Sequence, residues 1–413
     1  MIVTGWGLAP AARSAAPSAS APAVAPSTAP AEDPVIRFLE ERVAADALDP
    51  AIAVRLGGTC LQQARETGDV TLYPKAEAAF QTALTRTSNY YPALTGLGTT
   101  YLGQHRFRDA LAVADRAVAQ RPDAPEAHGL RGDACLDLGD LAKAEAAFGR
   151  MHALRPSLLS HARLANLCFV RGDTPAAIEQ YEAALRAGEQ AGAAPALRTW
   201  CLVKLGEVHF RTGNWDGAQR RYASAAALQP DDVALLDHLA ELHAARGDYG
   251  EAIATYEQVV ARSPRPEFFH ALGDVCARAR KPNDAQRWHE QALAGYLRAA
   301  AAGNAGYYHH LADFYCEVRP DGAEAVKWAT KDLALRRTTA SLAALARAHY
   351  VAGDDAAAAA AMDEALARPT ADFHVLSDAT LIYARAARPA DALACRERTI
   401  KANPKFNAFH VHR

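Results

Sequence analysis

A small residue recurs ten times along this chain, at Gly57, Gly98, Gly132, Ala165, Gly206, Ala240, Gly273, Ala312, Ala346 and Thr380. Gly98 to Gly132, Gly206 to Ala240, Ala312 to Ala346 and Ala346 to Thr380 are each 34 residues. Twelve residues after most of these stands an alanine, such as Ala144, Ala177, Ala218 or Ala252. A large residue often follows four places later, as at Phe148, Tyr181, Tyr222 and Tyr256. Self-similarity at such a period predicts stacked units, none of which can bury its apolar face alone. A chain of 413 residues would otherwise suggest two or three domains, but the continuous register predicts one elongated body.

Each unit reads as two antiparallel helices. The small residue sits where the two backbones approach, and the large one lies on the same face of the second helix as the alanine. Between the helices recur Gly139-Asp140, Gly172-Asp173, Gly213-Asn214, Gly247-Asp248 and Gly353-Asp354. Glycine ends the first helix in the left-handed conformation, and Asp or Asn caps the second. Proline closes many units, at Pro122, Pro156, Pro230, Pro264 and Pro404. This pattern resembles the tetratricopeptide repeat, from about residue 50 onward, in the bacterial form without an attached catalytic domain. The resemblance implies an all-α, right-handed superhelical solenoid of about ten helix-turn-helix units.

Three units are longer than the rest. Their extra residues are expected in connections at 66–74, 186–195 and 296–306. Residues 1–33, rich in Ala, Pro and Ser, read as a disordered segment, with too little apolar bulk to offset chain entropy. Residues 34–49 read as a capping helix with Val35, Phe38, Leu39 and Val43 on one face, and residues 50–413 as the solenoid. The first ten residues, MIVTGWGLAP, lack the basic start and unbroken apolar run of a secretory signal. The expectation is a cytoplasmic chain, or an exported one if the start codon lies upstream.

A net charge of −2 without basic blocks argues against nucleic acid and anionic membranes as partners. No run approaches the ~18 apolar residues of a spanning helix. Seven cysteines with no CxxC make neither a disulfide framework nor a zinc site. Phosphate-cradling, dinucleotide, metalloprotease and nucleophile-elbow motifs are all absent from the sequence, so the expectation is a non-enzyme without a cofactor. His410 and His412 in the closing FHVHR read as a solvated end.

The resemblance implies ligand contacts on the first helix of each unit, facing the hollow of the superhelix. Those positions hold Asp133, Asn166, Glu207, Glu241, Asp274 and Asp313, with Asp237, His270 and His309 four residues before the last three and Asp137 four after the first. Spaced i,i+4, each such pair shares one helix face. Arg211, Arg278 and Arg347 interrupt the strip, and the Lys set of family members that clamp a peptide carboxylate is missing. The function this implies is a protein- or peptide-binding scaffold or adaptor whose partners include ones with basic segments. The alternative is a solenoid that holds a small ligand or metal on the His/carboxylate strip.

Overall fold

The computed structural model describes residues 33–46 and 48–411. The expected disordered segment, all but its last residue, lies outside them, as does His412. Among the described residues there are 21 α-helices and no strand. A first helix, α1 (Pro34–Ala45), precedes ten antiparallel pairs. The pairs of the first superhelical turn are α2 (Pro50–Thr67) with α3 (Leu72–Arg86), α4 (Tyr91–Gly103) with α5 (Phe107–Gln120), and α6 (Pro125–Leu138) with α7 (Leu141–Leu154). Then come α8 (Leu158–Val170) with α9 (Thr174–Gln190), α10 (Pro195–Arg211) with α11 (Trp215–Leu228), and α12 (Val233–Arg246) with α13 (Tyr249–Arg262). The second turn begins with α14 (Pro266–Arg278) and α15 (Pro282–Ala301), followed by α16 (Tyr308–Glu317) and α17 (Gly322–Leu335). It ends with α18 (Thr339–Ala352) and α19 (Asp355–Leu366), then α20 (Phe373–Arg385) and α21 (Pro389–Ala402).

The turn chemistry follows the residues. Gly139, Gly172, Gly213, Gly247 and Gly353 all have φ between 78° and 88°. Asp140, Asp173, Asn214 and Asp354 each accept a hydrogen bond from a backbone N–H in the first turn of the next helix; Asp248 makes no such bond. Where the glycine is missing, His105, Arg280 and Ala387 take the same left-handed conformation, with φ of 58°, 60° and 57°.

The small-residue column serves a closer purpose than backbone approach. A Cβ at Gly57, Gly132, Gly206 or Gly273 would run into the ring of Phe80, Phe148, Tyr222 or His289, each from the second helix of the same unit. A Cβ at Gly98 would meet Leu130 of the following unit. The ring of the second helix thus lies on bare backbone of the first in these units, and Tyr222 and Phe148 are fully buried there. Cys60, Cys135 and Cys276, three places after the small position, are buried as well. The added length of the long units goes mostly into helix. Only residues 68–71 separate α2 from α3 and 191–194 separate α9 from α10, while α15 runs for 20 residues.

Helix α1 buries Ile36 and Leu39 and packs Val43, leaving Val35 51% and Phe38 59% exposed. The expected face is therefore rotated by about one residue. Arg86 fixes the rotation by donating to Val43 O at 2.9 Å and Asp49 O at 2.6 Å, and Lys75 pairs with Glu40 at 3.2 Å.

The superhelix closes on itself after six units. The turn at Gly68 packs on Arg265, where α14 begins; the turn at His105 meets Gly306, just before α16. Gly139 meets Arg337 and Thr338, the cap of α18, and Gly172 meets Thr370 and Ala371, before α20. Each contact joins unit n to the start of unit n + 6. Arg108 adds a bond to Ala334 O, 226 residues away. Two superhelical turns therefore stack edge to edge, and their first helices face one another around a narrow interior.

Candidate functional site

That interior gathers the strip of first-helix residues. Asp137, Asn166 and Glu207 line a cavity of about 320 Å³ together with Arg211, Thr338 and Asp372, so its walls come from both turns. His309 and Asp313 line a second, of about 180 Å³, with Asp332, Arg336, Arg347 and Asp378. Asp274 borders a larger cleft of about 1030 Å³ between α14, α15 and α16, with Arg278, His289, Phe314, Glu317 and Phe409. Asp133 lies apart, in a cavity of about 360 Å³ with Glu126 and Arg163.

The charges are mostly matched in place. Arg163 of α8 grips Asp133 of α6 with Nε–Oδ1 and Nη2–Oδ2 bonds of 2.8 Å each. Burial pushes the Asp133 carboxyl up, against the pull of Arg163. Asp137 is raised to about 6 by burial, with Asp133 adding to the effect and Arg336 opposing it. Glu207 goes the other way. Burial opposes its charge, but Lys204, His238 and Arg211 outweigh that and draw it to about 2. Arg211 reaches across the turns to Asp372, which also caps α20.

The i,i+4 pairs separate once neighbours are seen. Glu241 is only 4% exposed, with Oε2 3.3 Å from His238 Nδ1; it is not a solvated partner of Asp237. Burial disfavours a charged His238, yet the bond to Glu241 and the fields of Glu207 and Asp237 raise it. Asp274 stands between two imidazoles, 2.9 Å from His289 Nε2 and 3.7 Å from His270 Nε2. The face of this group is closed by Phe314, 5.1 Å from the His270 ring. His309 is driven down to about 3 by burial, Arg336 and His105, so as a neutral ring it accepts from Arg336 Nη2 at 3.4 Å. Among the described residues no three His, Cys, Asp or Glu side chains gather where they could hold one metal ion. Nor is any described helix long and apolar enough to cross a membrane.

Residues 95–158 and 203–265, both within the first superhelical turn, match the family model of the tetratricopeptide repeat. The chain carries tetratricopeptide repeats. No curated protein matches it in sequence. Among solved structures it is similar to a thermophilic tetratricopeptide repeat protein of Thermus thermophilus, at 20% identity over 47% of this chain and 98% of that one, with a TM-score of 0.42. A tetratricopeptide repeat protein of Parabacteroides merdae is 18% identical over 58% and 93%, TM-score 0.42. The human IFIT1 dimer with PPP-AAAA is 15% identical over 90% and 95%, TM-score 0.48.

Several residues of the interior escape a reading by tetratricopeptide register alone. His289 is the exception with a visible signal: it stands four places after Ala285, in the slot that holds Phe148 and Tyr222 elsewhere. A polar ring in an aromatic slot marks a unit whose core reaches the interior. Arg163 carries no such mark, because its partner Asp133 lies in the preceding unit. His410, expected in solvent, is 6% exposed between Phe210, Phe373 and His374.

Proposed function

We propose that this chain is a protein- or peptide-binding adaptor that takes an extended segment with basic and apolar side chains on the inner face of its superhelix. The observation that supports this most is the cleft between α14, α15 and α16. It is the widest of the spaces described above, and it sets carboxylates (Asp274, Glu290, Glu317) and guanidinium groups (Arg278, Arg280, Arg319) beside an apolar wall of Phe314, Val318 and Leu293. The other cavities described above are of about 180 to 360 Å³, and one of about 670 Å³ lies between α2 and α4, lined by Val54, Leu61, Phe80 and Thr99. Asp274 is the carboxylate of the strip that borders this cleft, where it stands 2.9 Å from His289 Nε2; Asp313 lines the neighbouring cavity with Arg336 and Arg347, and Glu241 is buried against His238.

The test is partner binding measured at low and high ionic strength, with a partner captured by crosslinking to the wild-type chain. Asp274→Asn with Asp313→Asn should weaken binding about tenfold and flatten its salt dependence, since screening acts on exposed pairs. Unchanged affinity and slope would place the site on the convex face.

A further inference from the structure

The stacking series has a fifth member with no helix to supply it. Gly68, His105, Gly139 and Gly172 each meet the chain that leads into the first helix six units on. Gly213 meets Asn403 and Pro404, and among the described residues after α21 there is no further helix. The chain there makes one turn, with Phe406 N–H donating to Asn403 O at 3.1 Å and Ala408 N–H to Lys405 O at 2.9 Å. From there its contacts run from Trp215 and Phe210 of the fifth unit to Arg278 of the seventh.

We propose that residues 405–411 are a tethered occupant of the peptide site, and that this site recognises an extended segment whose aromatic side chain enters the cleft beside Arg278. The proposal rests on the concave-face reading above and names the partner's chemistry. Phe409 borders the cleft, its ring 4.6 Å from the Arg278 guanidinium. Phe409 and Val411 pack against the core cluster of the sixth and seventh units, while the His410 ring between them lies against Phe210 and Phe373. Such alternation is the side-chain pattern of an extended strand. Lys405 anchors the near end, with Nζ 4.0 Å from the Trp215 ring centroid. The walls are thus built for Phe-X-Val-like spacing: a guanidinium over the first ring, an apolar floor under the third residue, and an aromatic pair for the residue between.

Side chains hold this segment, not a continued helix, so it opens without unfolding the units beneath it. A partner of the same chemistry competes with it, and tethering gives the segment a high effective concentration that such a partner must overcome.

The probe is a labelled synthetic peptide of residues 405–411, KFNAFHV, titrated by fluorescence anisotropy into the full wild-type chain and into its Phe409→Ala/Val411→Ala variant. The variant should bind the peptide at least tenfold more tightly than wild type, and a peptide with Ala in place of its second Phe should bind at least tenfold more weakly. A variant with an unchanged far-UV circular dichroism spectrum that binds no peptide, or binds it as wild type does, would overturn the proposal. Should the variant unfold, hydrogen exchange on the wild-type chain decides. Excess peptide should speed exchange at 409–411 and leave α10 and α14 protected; unaltered exchange at 409–411 under saturating peptide would overturn it. Failure here with the salt dependence of partner binding intact would remove the segment as occupant and leave the concave-face reading standing.

Discussion

Arg211, at the end of α10, pairs through Nη2 with Oδ2 of Asp372, the residue that caps α20, although 161 residues lie between them. Asp372 uses its other oxygen, Oδ1, to accept from His374 N–H at 2.9 Å. One carboxylate thus starts a helix of the second superhelical turn and fastens that helix to the first. This pair joins the fifth unit to the tenth, beside the contacts in which the turns at Gly68, His105, Gly139 and Gly172 each meet the start of the sixth unit on. Together they convert an open concave face into a confined channel, which is why Glu207, His309 and Asp137 depart so far from ordinary acidity.

Gly206→Leu should cost about 1–3 kcal/mol or more, because the added side chain has to displace the fully buried Tyr222 ring. Hydrogen exchange should place the damage at residues 200–255, with α2–α5 and α18–α19 still protected. Uniform loss of protection along the chain would show that the units do not fold as near-independent neighbours.

The left-handed turn positions offer a paired test of backbone strain. Gly353 has φ of 80° and open space where a Cβ would stand, so Gly353→Ala changes little beyond backbone preference and should destabilise by about 1 kcal/mol. Ala387 holds a side chain at φ 57°, and Ala387→Gly should stabilise by up to about 1 kcal/mol. Urea unfolding of the two variants should move in opposite directions.

Asp137 predicts a pH dependence of definite sign. Its folded pKa of about 6 lies above the ordinary 3.8, so the folded state holds this proton more tightly than the unfolded chain. The ionised carboxylate therefore costs stability above pH 6, and the cost fades as pH falls through 6 toward 4. Asp137→Asn should raise stability at pH 7.5 by about 1–2 kcal/mol, a figure reduced for water reaching the channel, and by nearly nothing at pH 4. A gain equal at both pH values would mean that the charge is not the source of the strain.

The sequence carries the units well and their arrangement poorly, for a physical reason. Glycine at φ near 80°, an Asp or Asn cap and an aromatic four places past alanine are local, and each can be read within one unit. The number of units in a superhelical turn depends on contacts such as Gly139 with Arg337, nearly 200 residues apart, where Arg337 belongs to no periodic column. Ion partners chosen across units were equally hidden. Asp133 takes Arg163 of the next unit, and Arg211 takes Asp372 of the tenth. On α1 the stripes Val35-Phe38-Leu39 and Ile36-Leu39-Val43 are both apolar, and only the Arg86 bonds to Val43 and Asp49 decide between them.

Closure after six units is most directly tested by a charge-swap cycle on Arg211 and Asp372, with unfolding of four proteins followed in urea: wild type, Arg211→Asp, Asp372→Arg and the double variant. If the two turns stack as described, each single swap sets like charges against each other and destabilises. The double variant should then recover at least about 1 kcal/mol relative to the sum of the singles. Effects that add to within about 0.5 kcal/mol are those of residues more than 7–10 Å apart. That result would contradict the closed superhelix and, with it, the confined channel.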